Sequence, residues 1–268
     1  MTARVHAQVQ SIAETMSQRF SRRAAAILAG LEGSLTKVAL AWMLLAMSAC
    51  SIRVVASPTM GQVQGLATYF PYILVTLGPV ASLFIALRLF RGGENMARPT
   101  SHLARLGRWK RVSVEQARAH ELYGTGGIMV SLLIGMMINV PVRVAEYLVS
   151  IPAIPPVAPD WLATLHFMMT LDVVLLTSLY MVAFVAALKK VPWFPMFLAC
   201  VWALDLAMQM GVAEAVKMTG LPGTVVDPLQ TLLTGNTKKV LISAALWAPY
   251  LLLSKRVNVT YRQRVEAN

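Results

Sequence analysis

Six long apolar runs constrain this chain more than any other feature. They cover Ser34–Ala56, Leu66–Phe90, a stretch from the glycines at 124, 126 and 127 to Val142, then Trp161–Leu188, Trp193–Ala213 and Val240–Ser254. A helix crosses the hydrocarbon core of a bilayer with about 20 apolar residues. One such run is often a buried core helix. Six in 268 residues, with only 13% of positions charged, leave too little polar surface to face water; a soluble domain carries about 25%. In lipid each backbone group must be satisfied within the segment or a closed barrel, so runs of this length read as helices. The expected fold is all-α: a polytopic membrane bundle of six transmembrane helices, preceded by an amphipathic N-terminal helix.

Charge orients the bundle. Between Arg88 and Arg118 the chain carries eight cations against Glu94 and Glu115. Basic connections stay on the cytoplasmic side. With an inside N-terminus, nineteen Lys and Arg fall on inner segments, and Arg53, Arg143, Lys217, Lys238 and Lys239 fall outside. Both termini are therefore expected in the cytoplasm. The net charge of +12 follows from this partition, and with no aromatic-interleaved basic surface it does not indicate nucleic-acid binding. The expected organisation is a cytoplasmic helix over 1–33, two spans over 34–90, a basic loop over 91–120 and a four-helix unit over 121–264.

Val5, Val9, Ile12, Met16 and Phe20 form one helical stripe, with Arg19, Arg22 and Arg23 near its end. That pattern suits a helix lying on anionic lipid, or equally one that is solvated or bound to a partner. In the basic loop Leu103, Leu106, Trp109 and Val112 recur every third residue. This predicts a short surface helix, with Arg105, Arg108, Lys110 and Arg111 toward anionic headgroups. Asp160 is the expected N-cap of the fourth span. Asp227-Pro228 predicts a short helix closed by Gly235-Asn236, ahead of a sixth span of only 15 residues.

The end of the chain reads LISAALWAPYLLLSKRVNVTYRQR. Trp247, Pro249, Tyr250, Ser254, Arg256, Val257 and Tyr261, with the Lys189–Pro195 turn and the glycine start of the third span, resemble a bacterial integral-membrane family known as domain of unknown function 2569. The resemblance covers about 121–264. It departs at Tyr261, where phenylalanine is expected, and it leaves out the first two spans and the basic loop. It implies a multi-pass protein of the bacterial inner membrane and no defined activity.

Chemical motifs are few. There is no His-Glu-x-x-His, no Gly-x-Ser-x-Gly and no Walker-type loop. Cys50 and Cys200 lack metal-ligand spacing, and the sixteen methionines read as gap-filling side chains. No metal or cofactor is expected. Two carboxylates remain: Asp172 and Asp205, each about 16–18 Å from its interface at 1.5 Å per residue. Gln209 shares a face with Asp205. A carboxylate at that depth must pair, meet water or take up a proton. Two that approach each other would share a proton. His166, Asn139, Arg143, Glu146 and Glu214 fall near the outer ends of spans three to five, as vestibule residues or headgroup anchors. A paired-aspartate protease would carry Gly-x-Gly-Asp, whereas Leu204 precedes Asp205. These readings lead to a non-catalytic binding, scaffold or regulatory subunit, alone, as a homo-oligomer or with a membrane partner. The alternatives are a proton- or cation-coupled transporter using Asp172 and Asp205 and, more remotely, an intramembrane hydrolase.

Overall fold

The structure is a computed structural model; it describes residues 2–57, 66–99, 107–155 and 157–267, apart from the side chains of 2–25, 32, 66 and 67. The arginines at 19, 22, 23 and 105, the N-terminal stripe, Leu103 and Leu106 therefore lie outside the described side chains. Within the described residues the chain forms eight α-helices: α1 (Thr2–Ala56), α2 (Leu66–Leu89), α3 (Val114–Arg118), α4 (Ile128–Ser150), α5 (Asp160–Leu188), α6 (Phe194–Lys217), α7 (Gly223–Leu253) and α8 (Lys255–Arg262). A 3-10 turn at Gly93–Asn95 and two short strands, β1 (Trp109–Arg111) and β2 (Arg264–Glu266), accompany them.

Five helical stretches are long and apolar enough to cross a membrane: Gly33–Ala56, Thr68–Leu89, α4, α5 and α6. A sixth is reached if α7 and α8, bent by 72° at their junction, count as one span. The outward faces fit lipid. Leu44 and Leu45 are each 70% exposed, and Ile52, Ile85 and Leu89 are nearly as bare. Water would penalise such a surface, and hydrocarbon does not. Helix α5 is the axis of the bundle, packed against α2, α4 and α6. Its last turns are buried on every side, at Ala183, Phe184, Val185, Ala186, Ala187 and Leu188, while Phe167 and Leu171 in its first half face outward.

Several boundaries differ from the sequence-based expectation. The N-terminal segment and the first span are one continuous helix, with no break at residue 33. Helix α4 does not stop at Val142. It passes through Pro141 and continues to Ser150, because a proline in a packed membrane helix removes one donor without ending the helix. Asp160 is the first residue of α5, and the cap position is Pro159. Gly235-Asn236 closes nothing, since α7 is a single helix of 31 residues, about 46 Å long at 1.5 Å each. The 15 residues expected as a thin sixth span are the second half of this longer helix, and Lys238 and Lys239 lie midway along it.

The surface helix expected around Trp109 is instead strand β1, paired antiparallel with β2 in the register Trp109–Glu266, Lys110–Val265 and Arg111–Arg264. Val112 N adds a bond to the Gln263 carbonyl at 3.1 Å. A pairing partner some 150 positions away leaves no trace in local periodicity. The pairing staples the basic loop to the C-terminal tail. Tyr261 of α8 donates to the Ala187 carbonyl at 2.8 Å, so the α5–α6 turn lies at the same end. So does the turn after α2. A Cβ on Gly93 would lie 2.7 Å from Val191 Cγ2 and 2.9 Å from the Lys189 carbonyl oxygen, an approach open only to glycine.

Glu94 is the hub of this end. It accepts from Arg118 Nη2 at 2.7 Å and from the Tyr123 hydroxyl, and Lys190 Nζ lies at 3.9 Å. Burial alone would raise its pKa, but the Tyr123 hydrogen bond and the charges of Lys190 and Arg118 outweigh it and hold it below 4.5. A carboxylate so depressed contributes stability that is complete above its unfolded value and lost as pH falls through the folded one. Acid titration of the protein in detergent, followed by tryptophan fluorescence, should show a loss of stability below pH 4.5. The Glu94→Gln variant should lack that component of the slope.

Candidate functional site

Four helices converge on a polar cluster inside the bundle. Asp172 is near the middle of α5 and Asp205 near the middle of α6, and they are 3% and 1% exposed. The tight α5–α6 turn makes the two helices antiparallel neighbours and brings the aspartates to one level, as their positions predict. What lies between them was not legible. Arg143 of α4 reaches in, with Nη2 at 2.6 Å from Asp205 Oδ1 and Nη1 at 3.4 Å from Asp172 Oδ2. Gln209 Nε2 bridges the same pair, at 3.1 Å from Asp172 Oδ1 and 3.4 Å from Asp205 Oδ1. Tyr180 of α5 donates its hydroxyl to Asp205 Oδ2 at 3.1 Å. Asn236 of α7 donates to Gln209 Oε1 at 3.3 Å, which carries the network to a fourth helix.

Arg143 is therefore not a headgroup anchor. It is a buried cation on a helix that runs on past it, and its guanidinium fork suits two carboxylate acceptors at once. Its charge ended the apolar run in hydropathy without ending the helix. Arg143 and Gln209 are donors that the two aspartates share.

The other predicted residues divide. Asn139 and Glu146 line, with Arg143, Tyr180, Asp205, Asn236 and Lys239, a cleft of about 40 Å³ between α4 and α7. That is room for about one water. Lys239 pairs with Glu146 at its rim. Asn139 Oδ1 is buried with no hydrogen-bond partner and borders this cleft. His166 is not a headgroup anchor. It is buried beside Tyr147, whose hydroxyl is 3.4 Å from Nε2 and 2.8 Å from Thr170 Oγ1, with Tyr72 packed edge-on. Glu214 is exposed and pairs loosely with Lys217 one turn on. Trp202 packs into the apolar core.

At the basic end Arg108, Lys110 and Arg111 are exposed. The residues that carry the resemblance build the junction of α7 and α8. Trp247 and Tyr250 make an edge-to-face pair at 6.0 Å, and Ser254 is the break itself. Arg256 donates to the Leu122 carbonyl at 3.2 Å and lies over Gly126 and Gly127, while Val257 is fully buried. Pro249 is inside α7.

Sequence reasoning missed Tyr180, Asn236 and Lys239. The i, i+4 spacing of Asn139 and Arg143 and the i, i+3 spacing of Asn236 and Lys239 were the available signals, each placing two polar residues on one face of an apolar helix. Among the described residues no three His, Cys, Asp or Glu side chains gather as metal ligands. Compared with known proteins, the chain matches no family model, no curated protein and no solved structure.

Proposed function

We propose that this is a six-span protein of the bacterial inner membrane, with both termini cytoplasmic, acting as a non-catalytic binding, scaffold or regulatory subunit. The orientation is supported by the gathering of the basic loop, the α5–α6 turn and the C-terminal tail at one end of the bundle, together with the excess of Lys and Arg on those segments. The resemblance of 121–264 to the membrane family agrees with this setting.

One observation carries the non-catalytic reading. Every carboxylate oxygen of Asp172 and Asp205 already accepts a bond from Arg143, Gln209 or Tyr180. An acid or base for hydrolysis has to meet substrate, whereas these oxygens are engaged by donors of the bundle itself. The cluster works as a clamp that holds α4, α5, α6 and α7 in one arrangement, a rigid body on which a partner can dock.

A second reading, proton- or cation-coupled transport, is favoured by charge balance. Arg143 offsets one of two carboxylates, and the polar cleft reaches Asp205. Reconstitution in proteoliposomes with a pH-sensitive dye and a sodium-sensitive dye separates the two. The subunit reading expects no flux from wild-type protein and the same from Asp172→Asn and Asp205→Asn. Flux that is lost in Asp205→Asn would replace it with the transporter.

A further inference from the structure

The C-terminal tail holds a second concentration of buried charge, Arg262 and Arg264, for which the described residues supply no salt bridge. Arg262 ends α8, and Arg264, two residues on, opens β2 opposite Arg111. They are 8% and 7% exposed, so each is more than nine-tenths buried. Arg262 feels the charge of Arg264, and Arg264 that of Arg111, which places the three within electrostatic reach of one another. Gln263 between them adopts a left-handed backbone, φ 48° and ψ 55°, at the turn from helix to strand.

A buried guanidinium is costly unless its donors are met and its charge offset. Arg262 Nη1 is met, by Asn258 Oδ1 at 3.2 Å. Its Nη2, and both Nε and Nη2 of Arg264, have no hydrogen-bond partner. Among the described residues neither Arg262 nor Arg264 forms a salt bridge; Glu94 pairs with Arg118 and Lys190, and Glu266 with Lys255. Burial first, and then the Arg111 charge, push Arg264 below its ordinary pKa, the direction an anion would reverse. Gln263 Oε1 is a buried acceptor without a donor. Three unpartnered donor nitrogens on two arginines, with an unpartnered acceptor on the residue between them in sequence, suit a phosphate monoanion that carries a hydroxyl, and arginine forks bind phosphate in this way. The tail follows directly from α7 and α8, the pair that counts as a sixth span.

We propose that Arg262 and Arg264 form a phosphate-binding site at the basic end of the bundle, filled by the phosphodiester of a hydroxyl-bearing anionic lipid or by a free phosphate anion. Full-length protein in nanodiscs of phosphatidylcholine, with and without phosphatidylglycerol, tests it. Retained lipid is read by native mass spectrometry, and the thermal midpoint is read in a titration with inorganic phosphate. Wild-type protein should retain phosphatidylglycerol, or be stabilised by phosphate in the neutral discs. The first result assigns the lipid source and the second the free anion. Arg264→Gln should weaken that binding about tenfold, and Lys110→Gln, an exposed neighbour on β1 with the same charge loss, by less than twofold. Should Arg264→Gln not fold, Arg264→Lys keeps the charge and loses the fork, and the same contrast with Lys110→Gln applies. Equal weakening by the Arg264 and Lys110 variants would reduce the site to diffuse surface charge. Absence of both lipid retention and phosphate stabilisation in wild-type protein would remove it altogether.

Discussion

Arg143→Met is expected to destabilise the bundle by about 3–5 kcal/mol, the cost of breaking a buried ion pair from one side. The reason is the position of Arg143 rather than the number of its bonds. Neutral hydrogen bonds between membrane helices average about 0.6 kcal/mol, so losing one or two would scarcely register. Removing the guanidinium leaves two carboxylates, 3% and 1% exposed, with only Gln209 and Tyr180 to solvate them. Desolvated charge without a counter-charge is what makes the loss large.

The argument has a second half that can fail independently. In the triple variant Arg143→Met/Asp172→Asn/Asp205→Asn no charge remains to be stranded, so most of the lost stability should return. Denaturation by increasing sodium dodecyl sulfate in mixed micelles, followed by helical circular dichroism, gives both midpoints. A triple variant no more stable than the single one would mean that packing of the Arg143 stem, and not its charge, is what counts.

Tyr261→Ala should cost about 3–5 kcal/mol, the range for truncating a fully buried aromatic. Tyr261 is 1% exposed and packs on Phe194 with ring centroids 5.1 Å apart. Its hydroxyl meets the Ala187 carbonyl in the last turn of α5. Loss of the ring should free α8 and β2 from the α5–α6 turn, so that trypsin cuts after Arg262 and Arg264 far faster than in the wild-type protein. Tyr261→Phe should cost much less, about 0.5–1 kcal/mol. The Ala187 carbonyl still accepts from Lys190 N at 3.1 Å, so the buried acceptor is not orphaned. Fast cleavage in both variants would show that the hydroxyl, rather than the ring, holds the tail.

The contrast between these two sites shows what kind of information a linear chain carries. Asp172 and Asp205 stood out in the sequence because each is one polar residue in a long apolar run, and because a tight turn separates their helices. Both facts are local. Arg143 is equally polar but falls at the end of its apolar run, since charge is the signal by which a hydropathy profile stops counting. Its partners lie 29 and 62 positions away. Only the packing of α4 against α5 tells a cation at a membrane surface from one inside a bundle.

Composition, run length and the distribution of Lys and Arg determined by themselves that the chain forms apolar helices suited to lipid. They also determined which connections are basic. Those properties follow from solvent preference residue by residue, and need no knowledge of neighbours. Tertiary structure decided where helices pass through proline or a charge, that three residues of the basic loop pair with the tail, and that a guanidinium joins two aspartates. Each of these depends on which distant groups satisfy a backbone donor or a buried charge, and such partners exist only once the helices have packed.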